Sequence, residues 1–141
     1  ERLKASLAGK RLMIITYNHS LDWILKAALD AGMEIVKIGI LNFSQDSGFR
    51  SSLGIDFNLE ENYDREKRNE DIEKYAPDIL LTNYESSAGN GSFITDTIPM
   101  CPDVGFYSGV NMLRRWARLI NLNLQGEWKE DGKLFKKYYS R

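Results

Sequence analysis

Short, nearly unbroken apolar runs alternate along this chain with segments whose apolar residues return at helical spacing, and few architectures accommodate that order. Arg11-Leu12-Met13-Ile14-Ile15-Thr16 is the first such run, with the pattern of a strand covered on both faces, as in parallel sheets. Leu21, Ile24, Leu25, Ala28 and Leu29 then recur at helical spacing; Ser20 offers an N-cap hydroxyl and Asp22 a negative charge in the first turn. Gly32 supplies a left-handed residue to end that helix, and Glu34-Ile35-Val36-Lys37-Ile38-Gly39-Ile40 reads as a second strand. Arg65 to Tyr75 has the composition of a polar surface helix, closed by Pro77 before a third strand, Asp78-Ile79-Leu80-Leu81-Thr82. The order β-α-β-α-β predicts an α/β fold: a Rossmann-like, doubly wound, mostly parallel sheet with helices on both faces.

The segments between are less regular. From Leu41 to Arg65 periodicity is lost, which is long for a connection inside a compact domain and marks a functional or mobile excursion. Asn83 to Asn90 reads as a polar turn. After Pro99-Met100-Cys101-Pro102 a short strand is predicted near Val104-Gly105-Phe106. A helix follows, with Val110, Leu113, Trp116, Ala117 and Ile120 on one face and Arg114, Arg115 and Arg118 turned away. The stretch from Glu127, with Trp128, Leu134, Phe135, Tyr138 and Tyr139, is consistent with a last helix or an arm against a neighbour.

With 141 residues, 43% of them apolar, there is material for one core, so residues 1–141 are expected to form a single domain. Nineteen basic residues against 20 acidic ones create no global field to recruit nucleic acid or an anionic membrane, and no apolar run approaches the roughly 18 residues of a membrane span. The absence of a signal-like apolar start makes the cytoplasm the expected compartment. One cysteine, Cys101, and one histidine, His19, cannot build a Cys/His metal cage, so no cofactor is expected to be held by this chain alone. The chain starts at Glu1, and Glu1 to Gly9 reads as the end of a helix stopped by glycine, as in a piece of something longer.

In open parallel sheets, ligands sit beyond the carboxyl ends of the strands, where loops diverge and helix N-termini present free amides. Three polar segments fall there: Tyr17-Asn18-His19-Ser20, the segment from Leu41 containing Asn42, and Asn83-Tyr84-Glu85-Ser86-Ser87. Tyr17, Asn18, His19, Ser20, Asn42, Asn83 and Glu85 are therefore the candidate cofactor-binding residues. The competing reading is that these Asn and Ser residues are simply turn formers and caps. His19 has the right ordinary pKa for proton transfer but no carboxylate partner identifiable from sequence. Cys101, between Pro99 and Pro102, is either a positioned thiol or a buried, inert one. There is no G-x-G-x-x-G after a strand, no Walker lysine loop and no G-x-S-x-G elbow, which weakens nucleotide-binding and hydrolase readings.

Leu7-Ala8-Gly9-Lys10-Arg11-Leu12-Met13-Ile14-Ile15, then Leu29-Asp30-Ala31-Gly32-Met33-Glu34-Ile35-Val36-Lys37-Ile38-Gly39, then Ala76-Pro77-Asp78-Ile79-Leu80-Leu81 together resemble the last domain of an alpha-type subunit of the nitrogenase component 1 family. Ile98-Pro99 followed by Phe106-Tyr107-Ser108-Gly109 and an arginine-bearing helix resembles the family's final strand-to-helix passage. The resemblance implies a domain of a longer nitrogenase-like oxidoreductase subunit, inactive alone, contributing one wall of a cofactor or substrate pocket. It implies a metal cluster or a tetrapyrrole in the full assembly, other domains or subunits as partners, and electrons from an ATP-dependent iron-sulfur reductase. Cofactor-holding nitrogenases carry glycines and a basic residue where this chain has Tyr17 to Ser20, and a histidine ligand where Ile98 to Gly109 has none; the resemblance is thus to a divergent member. The alternative is a stand-alone doubly wound module that binds a small ligand without redox work.

Overall fold

The computed structural model describes residues 2–17, 21–41, 51–83, 88–89, 93–98 and 105–124. A short helix, α1 (Arg2–Leu7), ends at Gly9 with φ +74° and feeds β1 (Arg11–Thr16). Helix α2 (Asp22–Asp30) and β2 (Glu34–Ile40) follow, then β3 (Leu59–Glu60), a 3-10 turn at Arg65–Lys67 running into α3 (Arg68–Tyr75), β4 (Ile79–Thr82), β5 (Ala88–Gly89), β6 (Ile94–Thr97) and α4 (Phe106–Leu124). The strands form one sheet in the order β3-β2-β1-β4-β6-β5, with every pairing parallel except β5 with β6.

Alternation along the central strands divides the core. Leu12 and Ile14 of β1, with Ile38, Ile40, Ile79, Leu81 and Ile94, pack against α1, α2 and α4 through Leu7, Ile24, Leu25, Leu113 and Trp116. Met13 and Ile15 face the other way, with Leu80, Phe93 and Tyr63, and are covered by Ile72 and Tyr75 of α3. Helices on both faces explain why β1 and β4 read as continuous apolar runs: neither face meets water.

Gly32 sits at φ +80° after the α2 C-cap residue Ala31. The Gly32 amide donates to the Leu29 carbonyl at 2.9 Å and the Met33 amide to the Ala28 carbonyl at 3.0 Å, the paired bonds of a Schellman stop. Replacing Gly32 with valine is expected to lower stability by more than about 1 kcal/mol, since β-branched residues tolerate positive φ poorly. Its Cβ would also stand 3.4 Å from Ala8 Cβ. An unchanged urea midpoint would count against this account.

Several expectations need correction. Among the described residues the last strand is β6 at Ile94–Thr97, and the strand expected near Val104-Gly105-Phe106 is not found at its described positions: Gly105 is a bend at φ +110° and Phe106 already opens α4, while Val104 lies outside the described residues. The excursion after β2 is partly sheet, because the Ile38 amide donates to the Asn58 carbonyl at 2.9 Å and Asn58 Nδ2 to the Val36 carbonyl at 3.0 Å, which pins β3 to the edge. Lys37, buried on β2, pairs with Glu60 at 3.3 Å and secures the same edge. Part of the supposed polar turn after β4 is β5. The N-cap position of α2 belongs to Leu21, without a side-chain cap bond; Ser20 lies outside the described residues. Arg115 is exposed as expected, and its guanidinium also reaches back to pair with Asp96. Expectations for residues 125–141 and for Cys101 lie outside the described residues.

Candidate functional site

From β1 the chain moves outward to β2 and β3, then returns past β1 to β4. The strand order therefore reverses between β1 and β4, and loops leaving their carboxyl ends must diverge there, opening a crevice. The bonds at this edge are specific. Asn83, just after β4, accepts on Oδ1 from both the Thr16 hydroxyl and the Tyr17 amide, the latter at 2.8 Å, while its Nδ2 donates to the Ile98 carbonyl at 2.7 Å. One carboxamide thus ties the ends of β1, β4 and β6 together. The Leu41 amide donates to the Thr16 carbonyl and the Ile98 amide to the Thr82 carbonyl, both at 2.8 Å, which extends the stitching across four parallel strands.

Of the candidate residues chosen from sequence, Tyr17 and Asn83 are brought together directly. Asn18, His19, Ser20, Asn42 and Glu85 lie outside the described residues. Asn83 stands at the carboxyl end of β4, and its carboxamide is engaged by three groups of the chain itself. The Tyr17 ring packs partly against the Met13 and Ile15 layer.

The same end of the molecule carries an acidic anchor. Asp22, in the first turn of α2, accepts from the Ser51 hydroxyl at 2.6 Å and from the Ser52 amide and hydroxyl at 2.9 and 2.6 Å. Desolvation pushes its pKa up, yet the three serine bonds outweigh it and hold the carboxyl below the usual range. Ser51 is thereby fixed to the start of α2.

Sequence reasoning missed Asp96. It lies on β6 with 1% exposure and accepts from Trp116 Nε1 at 2.7 Å and from Arg115 Nε and Nη2 at 3.0 and 2.6 Å. The available signal was an acidic residue inside the run Phe93-Ile94-Thr95-Asp96-Thr97-Ile98, with an Arg-Trp pair on the next apolar helix. Among the described residues no group of three or more His, Cys, Asp or Glu side chains is placed to hold a metal ion.

The family model described as nitrogenase component 1 type oxidoreductase matches residues 1–121. The chain belongs to that family. The match takes in all six strands and α4 as far as Asn121, so the resemblance carried by the Gly9-Lys10-Arg11 opening, the Gly32-to-Gly39 strand and the Pro77-Asp78 entry extends to the whole sheet. No individual curated protein matches the chain. No helix of this nitrogenase component 1-type domain, among the described residues, is long and apolar enough to cross a membrane.

Proposed function

We propose that residues 1–141 are one Rossmann-like domain of a longer nitrogenase-like subunit, and that its carboxyl edge forms one wall of a cofactor or substrate pocket. The observation that carries this reading is the bond from the Tyr17 amide to Asn83 Oδ1, which joins the loops leaving β1 and β4 at the point where strand order reverses. Tyr17, Asn18, His19, Ser20, Asn42, Asn83 and Glu85 are the residues proposed to face the pocket, with Asn83 acting by positioning the others.

A metal cluster or tetrapyrrole is what family membership suggests for the assembly. The described residues do not fit as its ligands: Thr16 and Asn83 are bonded to each other, and no acidic, histidine or cysteine set converges there. This wall would contribute shape and hydrogen bonds while other domains or subunits hold the group. Electrons from an ATP-dependent iron-sulfur reductase and a cytoplasmic location complete the proposal.

The test is a set of substitutions in the assembled protein. His19→Ala and Asn42→Ala should each change substrate reduction or cofactor retention by about tenfold or more, with the melting midpoint unmoved. Asn83→Ala should alter both, because it releases three strand ends together. Loop variants that leave reduction rate and bound-cofactor absorbance at wild-type values would overturn the pocket.

A further inference from the structure

Between them α2 and α4 leave a cleft of about 300 Å³, whose lining includes Trp23, Ala27, Phe106, Gly109, Val110 and Leu113. The helices approach closely at its base, where a Cβ on Gly109 would stand 3.2 Å from Ala27 Cβ. At its mouth two aromatic rings lie in solvent: Phe106 is 80% and Tyr107 82% exposed, packed edge to face with centroids 5.8 Å apart. Adjacent exposed aromatics beside an apolar cleft are unusual on a surface that meets only water.

Lys26 and Asp30, which also line the cleft, pair with each other at 3.3 Å, so the charge left over beside it comes from α4 and is basic. No acidic residue occurs in α4, and Arg114 and Arg118, exposed and one turn apart on the face that carries Tyr107, make no ion pair or hydrogen bond among the described residues. Arg115 differs, being held by Asp96. We infer that this face of α2 and α4 docks an acidic, amphipathic helical segment of a neighbouring domain or subunit. One of its apolar side chains enters the cleft against Trp23 and Leu113, and two carboxylates one turn apart meet Arg114 and Arg118. A second copy of this chain fits less well, because the acidic helix α3 turns its Ile72 into its own core and presents no apolar stripe beside its carboxylates. Two arginines on a chain of net charge −1 are also a poor field for nucleic acid.

The inference rests on the chain being one domain of a larger assembly but not on the location of its pocket, so loss of either leaves the other testable. The full 141-residue chain is titrated with a labelled synthetic helix carrying Leu and Phe one turn apart and two Glu one turn apart beside them. Saturable binding is expected, weakened about tenfold by the double replacement R114E/R118E and restored to that variant when Lys replaces Glu in the peptide. Val110→Asp should abolish binding of both peptides. Both arginines are exposed, so the melting midpoint of the double variant should match wild type. Three results would each overturn the inference: no saturable binding, equal affinity of wild type and R114E/R118E for the Glu peptide, or a concentration-dependent dimer that the double replacement dissolves. Stronger competition by a single-stranded oligonucleotide for the same arginines would do so too.

Discussion

Replacing Gly39 with alanine is expected to destabilise the domain by about 3 kcal/mol, although one methyl group is all that is added. Gly39 lies on β2, beside the central strand, and a Cβ built there would stand 2.7 Å from both Cγ and Cδ2 of Tyr63. The ring has little freedom to yield. The Tyr63 amide donates to the Ile40 carbonyl at 2.9 Å, its hydroxyl donates to Asp71 Oδ2, and the residue is 5% exposed. Making room means giving up the ring's burial, the tie to α3, or the β2 register. The measurement is a double-mutant cycle by urea unfolding. Tyr63→Ala alone is destabilising, but Gly39→Ala added to it should cost less than about 0.5 kcal/mol, because the obstruction has gone. Additive losses would show that Tyr63 is not what Gly39 accommodates.

Asp96→Ala should cost a comparable amount, about 3 kcal/mol, and should lower the melting midpoint by roughly 6 to 12 °C for a domain of this size. The carboxylate is the acceptor for Trp116 Nε1, and Trp116 is fully buried, so the indole N–H would be left without a partner in a site that water does not reach. Arg115 loses less, since its side chain is 48% exposed and can turn to water. The expected ranking follows: Asp96→Ala is worst, Arg115→Ala is milder, and Asp96→Asn falls between because its amide oxygen still accepts from Trp116. Calorimetric midpoints for the three variants check it. A milder loss for Asp96→Ala than for Arg115→Ala would reverse the account and place the larger cost in leaving the buried Asp96 carboxylate without its cation.

What the sequence displayed and what it hid follow from burial. β1, β2 and β4 were legible because a strand covered on both faces must be apolar nearly throughout, and α2 because one of its faces meets the sheet while the other meets water. β6 was concealed by the same rule: Thr95, Asp96 and Thr97 look like loop residues until α4 supplies the Arg115 and Trp116 donors that let an aspartate enter the core. β3 and β5 have two residues each, too short for any period to show. At the candidate site, position was legible and role was not. Topology alone put Tyr17 and Asn83 on one edge, but that Asn83 spends its carboxamide on Thr16, Tyr17 and Ile98 depends on distances between strands that no local pattern encodes.

The central place of β1 in the sheet has a consequence for how the chain is made. Of the strands in this sheet it leaves the ribosome before the others, and β2 can pair with one of its edges soon afterwards. Its other edge waits for β4: the Arg11 amide finds Asp78 Oδ2 only 67 residues later in sequence. At roughly 5 to 20 residues per second, that edge stays open for several seconds of synthesis. During that interval Leu12 to Ile15 form an apolar strand with unpaired amides, a template that another nascent chain could join. Solubility of the newly made protein is therefore set by how quickly translation reaches Thr82, and slowing elongation between β2 and β4 should increase co-translational aggregation without changing the stability of the finished fold.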